Sequence, residues 1–187
     1  MKKSLLSGIA ALLLVGCAAT VTRADDSPVQ KPISVKLGAF LPTGSGAKDR
    51  GSAWFQGGLE YGFGKTDEAS PSVKNVYLDY TQSKSKNGNP NSVLGIGVGV
   101  RSYGEKATNT KYAPYYGAGV GAYFQKGAKS TGANTSSTKT NLTAGLKGLV
   151  GVELNQGVFA EAGYTYLFSK ANGQDLGGFN VALGLRF

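Results

Sequence analysis

From Ile33 to Phe187 the sequence changes character at nearly every step. The last ten residues show the rule. In GFNVALGLRF, Phe179, Val181, Leu183, Leu185 and Phe187 alternate with Asn180, Ala182, Gly184 and Arg186. A period of two marks a β-strand with unlike faces, because successive side chains point to opposite sides of the pleat. No 3.6-residue period is sustained, so helices are not the main element. The alternation breaks into eight runs, at residues 32–43, 52–64, 73–82, 92–103, 112–125, 140–154, 157–169 and 178–187. The links between them, such as TGSGAKDRG, SKSKNGNPN and KANGQDLG, are rich in turn-forming residues. Short links between successive strands imply antiparallel neighbours in an up-and-down meander. Such a meander leaves two open edges unless the last strand pairs with the first, and closure removes them. The expected fold class is therefore all-β, a closed eight-stranded antiparallel up-and-down barrel.

Parity sorts the strand residues onto two faces. One carries Ile33, Val35, Leu37, Phe55, Leu59, Tyr61, Phe63, Val76, Leu78, Tyr80, Ile96, Val98, Tyr112, Tyr116, Val120, Phe124, Leu142, Leu146, Val150, Tyr164, Tyr166 and Phe168. This face is expected to carry no charge within the strands. The other holds Lys36, Trp54, Glu60, Asp79, Arg101, Tyr115, Tyr123, Lys147, Glu153, Glu161, Asn180 and Arg186, interleaved with glycines such as Gly95, Gly97, Gly99, Gly117, Gly119 and Gly121. The interior of an eight-stranded barrel is just wide enough for side chains. The bulky apolar set would overfill it, whereas the glycine-rich set fits. The glycine-rich face is also too poor in Lys and Glu to serve as a water-facing surface. The apolar face is thus expected outside, against lipid, which makes the barrel transmembrane. A soluble periplasmic barrel that binds an apolar ligand would need the reverse orientation.

The first residues have another role. MKKSLLSGIAALLLVGCAATVTRA places Lys2 and Lys3 before an apolar run and small residues, the pattern of a secretory signal. Its apolar run is too short to be a stable transmembrane helix. Cleavage after Ala24 would leave residues 25–31 as a short linker and residues 32–187 as the barrel. Leu14-Val15-Gly16-Cys17 also resembles a lipobox, which would make Cys17 a lipid attachment point. Lys2, Lys3 and Arg23 of the leader contribute to the formal net charge of +9, so the barrel itself is less basic than the total suggests.

With apolar and aromatic residues arranged in this way, the chain resembles the eight-stranded outer-membrane β-barrels of the OmpA, OmpX and OmpW type over about residues 32–187. The most specific part of the likeness is the terminal segment. Asn180, Val181, Leu183, Leu185 and Phe187 resemble the assembly signal of that family, although Ala182 replaces a usual glycine and Leu185 a frequent aromatic. The resemblance implies residence in the cell outer membrane and recognition of the tail by the barrel-assembly machinery.

The inward charges balance in type: Lys36, Arg101, Lys147 and Arg186 against Glu60, Asp79, Glu153 and Glu161. Paired charge is tolerable in a narrow lumen and unpaired charge is costly. The expectation is an internal salt-bridge network, with a narrow path for ions or small solutes as the alternative. The sequence has no histidine, and Cys17 is its single cysteine. That removes Ser-His-Asp and Cys-His nucleophile systems and His-based proton transfer, and no metal or cofactor site is expected. The lipid A deacylases and palmitoyl transferases that resemble this size class depend on histidine. GIGVG and GAGVG lack the strand-to-helix context and following lysine of phosphate loops. The inward glycines leave room either for Trp54, Tyr115 and Tyr123 or for a small water-filled space. Lys48, Arg50, Lys84, Lys86, Lys126, Lys129, Lys139 and Lys170 face only Asp49 and Asp175 in the outer links. These cations suit either a solvated rim or lipopolysaccharide phosphates. Nucleic acid is disfavoured because no aromatics interleave with them. The short polar links argue against a large adhesive surface. The expected protein is a non-enzymatic monomer of the envelope, in contact with outer-membrane lipid.

Overall fold

β-Branched and aromatic residues on one side of each run, and small or polar ones on the other, favour extended backbone with a committed register. The computed structural model describes residues 31–49, 51–63, 72–84, 89–104, 112–130, 136–154 and 157–187. Its strands are β1 (Ile33–Pro42), β2 (Trp54–Phe63), β3 (Ser72–Gln82), β4 (Ser92–Tyr103), β5 (Tyr112–Ser130), β6 (Ser136–Leu154), β7 (Val158–Leu167) and β8 (Gly178–Arg186). A single helical turn, α1 (Ser45–Lys48), follows β1. The leader, Cys17, residues 25–30 of the linker, Arg50 and Lys86 lie outside the described residues.

Each strand pairs antiparallel with its sequence neighbour, and β1 pairs with β8 from Ser34↔Arg186 to Pro42↔Gly178, closing the barrel. The last residue is itself a rung: Phe187 N–H donates to Ile33 O (2.9 Å), and Ile33 N–H to Phe187 O (3.0 Å). The eight strands fall where the alternation puts them, within a few residues. The largest differences are in β5 and β6, which continue to Ser130 and begin at Ser136, beyond the expected 112–125 and 140–154. Their added segments, KGAKS and SSTK, lack large apolar residues on either face, so the pairing continues where the period-two signal has vanished.

The faces are oriented as the volume argument requires. Ile96 is 50% exposed, whereas Arg101 is 3% and Glu161 2% exposed. That orientation removes the basis for a soluble barrel with an apolar interior. Tyr61, Phe63, Tyr112, Tyr116 and Phe187 ring the exposed face at the rim that holds both ends of the barrel, the inner rim of the expected orientation. Tyr80, Phe124, Tyr166, Phe168 and Phe179 ring the outer rim, and Leu78, Val98, Val120, Leu146, Val181 and Leu183 lie between. Two residues correct the expectation of an uncharged outer face: Lys126, beyond the expected end of the fifth run, and Lys74, within the third. Lys74 of β3 is exposed there, paired in register with Phe63 and Val100. It sits at the inner rim, where a long aliphatic stem lets an ammonium reach the headgroups.

Candidate functional site: the lumen and the outer rim

The lumen is filled in layers. At the inner end, where β1 begins and β8 finishes, Arg186 pairs with Glu153, and Arg101 pairs with Glu60. Tyr103 OH accepts from Arg186 Nη1 (2.8 Å) and Arg101 Nη1 (3.2 Å) and donates to Glu153 Oε2 (3.0 Å). One donor and two lone pairs are all a phenol has, so this hydroxyl is saturated. Asn75 Nδ2 donates to Glu60 Oε1 at 2.8 Å. The Arg186 guanidinium also lies 4.3 Å from the Phe159 ring centroid and 4.8 Å from that of Tyr115, close enough for cation–π attraction.

Further in, Lys36 Nζ lies 2.9 Å from Glu161 Oε1 and 3.5 Å from Asp79 Oδ1, and Lys147 Nζ lies 2.7 Å from Asp79 Oδ2. Four strands supply these groups: β1, β3, β6 and β7. Tyr115 OH adds a long bond to Glu161 Oε2 (3.4 Å), and Lys147 Nζ sits 4.9 Å from the Tyr77 centroid. The structure thus brings all eight inward charges into ion pairs. Glu60 and Glu161 belong to separate groups and do not form a carboxylate pair.

The glycines receive rings. A Cβ on Gly97, Gly119 or Gly121 would press on Tyr77, on Gly95 against Tyr123, on Gly151 against Tyr115, and on Gly184 against Phe159. Tyr77 of β3 and Tyr123 of β5 meet over β4 through their hydroxyls at 2.9 Å. Space left by missing side chains is therefore taken by aromatics, which decides between the two uses foreseen for it. Trp54 is not one of these rings; it lies near the mouth, 5.6 Å from Phe40 between centroids.

The outer mouth is capped. Phe40, Trp54, Val93 and Leu167 from the strands pack with Ala47 of α1 and with Ala171 and Leu176 of the link between β7 and β8. Gln174 Nε2 donates to Gly46 O (3.0 Å) and Gln125 Nε2 to Ser169 O (3.0 Å). Sequence reasoning named neither Tyr103 nor Phe159 for the lumen, although both share parity with inward neighbours, Arg101 and Glu161. Ala171, Gln174 and Leu176 carry no periodic signal at all. Around the cap, Lys48, Lys84, Lys129, Lys139 and Lys170 are exposed, while Lys126 is half-buried on the outward face of β5, two residues beyond Phe124.

A closed antiparallel barrel with an aliphatic belt between aromatic rims and an ion-paired lumen is an outer-membrane β-barrel. Among solved structures the chain resembles Neisserial surface protein A, with TM-score 0.56 and 18% identity over 83% of this chain and 96% of that one. It resembles the outer membrane enzyme PagL with TM-score 0.58 and 13% identity, over 82% and 99% of the two chains. The N-terminal β-barrel domain of Pseudomonas aeruginosa OprF matches with TM-score 0.51 and 14% identity, over 84% and 100%. At these identities the likeness is one of fold. No protein-family model matches the chain, and no curated protein matches it in sequence.

Proposed function

We propose that this barrel is a non-enzymatic envelope protein whose outer rim holds lipopolysaccharide by its phosphates. The supporting observation is the rim itself. Lys48, Lys84, Lys126, Lys129, Lys139 and Lys170 face only Asp49 and Asp175 among the described residues, just above the girdle that contains Phe124 and Phe168. An apolar ring below a cationic ring matches a lipid with acyl chains below and phosphates above. Replacing Lys126, Lys139 and Lys170 by glutamine should abolish the salt-sensitive part of lipopolysaccharide binding. Unchanged binding sinks the proposal.

PagL is an outer membrane enzyme, so similarity of fold does not exclude catalysis. Against it stands the chain's lack of histidine, which leaves no ordinary proton shuttle near neutral pH. The pore reading meets two seals, the ion-paired layers and the cap. Steady single-channel currents in a planar bilayer would favour it; silence supports a closed barrel. β8 is proposed to guide assembly, with Phe187→Ser expected to lower the heat-modifiable, folded fraction in membranes.

A further inference from the structure

β5 and β6 are 19 residues long, against 12 in β4 and 10 in β7. The excess lies at the outer end. Pairing of β5 with β4 stops at Ser92↔Lys126, and pairing of β6 with β7 stops at Gly145↔Leu167, while β5 and β6 stay paired to Ser130↔Ser136. A two-stranded ribbon therefore continues beyond the barrel wall, and its two edges differ. On the β5 edge, Ala128 N–H donates to Asn91 Oδ1 at 2.7 Å, so a side chain occupies the backbone position.

On the β6 edge the last rung is Phe168 N–H to Ala144 O at 3.1 Å. The chain then turns inward to form the cap, held by Asn141 Nδ2 on Ser169 Oγ (2.7 Å) and by the buried Ala171 and Leu176. The Ala144 carbonyl points away from β5. By strand alternation the N–H and C=O groups of Leu142, Thr140 and Thr138 point the same way. Among the described residues no strand pairs with residues 138–142 on this side. Asn172 reaches Ser137 O (3.1 Å), a residue of the opposite parity. Thr138, Lys139 and Thr140 are exposed, and the segment TKTNL contains neither proline nor glycine. It is an extended edge whose one guard against a like edge is the charge of Lys139.

We propose that the edge at residues 138–142 docks an extended acidic segment of a partner protein outside the cell, which adds to the ribbon as a further strand. The proposal rests on the outward placement of this rim. Charge selects the occupant. Lys139 lies within the edge, with Lys126, Lys129 and Lys170 nearby, so a strand bearing carboxylates is attracted. A second copy pairing antiparallel about Thr140 would set each Lys139 opposite Asn141 and diagonal to the other Lys139, which brings like charges together, whereas a carboxylate at that position is attracted.

The test uses the full chain in lipid nanodiscs and a fluorescein-labelled seven-residue peptide of alternating Glu and Val, read by fluorescence anisotropy. Saturable binding is expected. It should fall about tenfold in Thr140→Pro, which removes an edge N–H that does not serve β5, and change less than about twofold in Thr140→Ala. Peptide should also slow amide exchange at Thr138 and Thr140 in the unsubstituted protein, a readout that needs no variant. Equal binding by a folded Thr140→Pro protein, equal binding of a Lys–Val peptide, or unchanged exchange overturns the proposal. So does a dimer that Thr140→Pro dissolves, which would place a second copy on the edge. Maleimide labelling of Lys139→Cys on intact cells separates the premises. An unlabelled residue overturns the outward placement, whereas a labelled hairpin that ignores the peptide overturns the docking site alone.

Discussion

The inner half of the lumen and its outer mouth close the same barrel with different chemistry. The inner half uses full charges: Arg186 with Glu153, Arg101 with Glu60, and Lys36 and Lys147 with Asp79 and Glu161. Among the described residues the mouth buries no charge and uses Phe40, Trp54, Leu167, Ala171 and Leu176 with the amides of Gln125 and Gln174. The backbone explains the difference. An ion pair in a poorly hydrated interior stabilises only if its geometry is held, since the desolvation penalty is incurred regardless. Every inner charge stands on a strand with neighbours hydrogen-bonded on both sides, so the closed ladder fixes its position. The mouth depends on links, which move more readily. Apolar contact is non-directional and survives such movement. Charge is placed where the backbone is rigid.

The strongest way to break this comparison is Asp79→Leu. Asp79 serves two cations, Lys36 at 3.5 Å and Lys147 at 2.7 Å. Its loss leaves Lys147 without a carboxylate and Lys36 with Glu161 alone. Stranding a buried charge costs about 3–5 kcal/mol, so urea unfolding from lipid vesicles should shift by that amount. A loss below about 1 kcal/mol would mean that the lysines are hydrated and that rigidity is not what the pairs require.

Gly151→Val is expected to have a smaller effect. The added Cβ would collide with the Tyr115 ring and approach Ala160 O at 2.7 Å. Overpacking of this kind costs about 1–3 kcal/mol. Tyr115→Ala in the same background should recover part of the loss, measured by the same unfolding titration. No recovery would locate the strain in the β6–β7 backbone instead of the ring.

How far such sites could be read in advance follows the same division. Period-two alternation identified the strands because lipid outside and a crowded lumen inside impose unlike demands on alternate residues. Lys36, Glu60, Asp79 and Arg101 stood out as charges on a glycine-rich face. So did Lys147, Glu153, Glu161 and Arg186, but not which of the eight pairs with which, because pairing in the lumen depends on strand stagger, which links of variable length leave undetermined. Lys74 was legible by parity with Val76, Leu78 and Tyr80 and was overlooked; what parity leaves open is its place at the rim, where a charge is tolerated. The cap was illegible: Ala171, Gln174 and Leu176 act through positions that no repeat marks. The outer ends of β5 and β6 were underestimated because the cap covers Gly127 and Ala128 while the end of β6 is exposed at every residue from Ser137 to Thr140, so neither imposes alternation.

The mildest change sharpens the comparison most. Gln174 ties the cap together, donating to Gly46 O at 3.0 Å and reaching Ala128 O at 3.5 Å. Gln174→Ala removes a net contribution of about 1 kcal/mol. The loss should be local, because no strand pairing depends on that side chain. Urea unfolding should stay unchanged within error, while exchange of the Ala171 amide, which donates to Gln174 O at 3.0 Å, should quicken about fivefold. A planar bilayer should remain silent, because the arginine–glutamate layer beneath still fills the lumen. If Gln174→Ala conducts, the neutral mouth is the seal and the inner charges line a path. The two halves would then exchange roles.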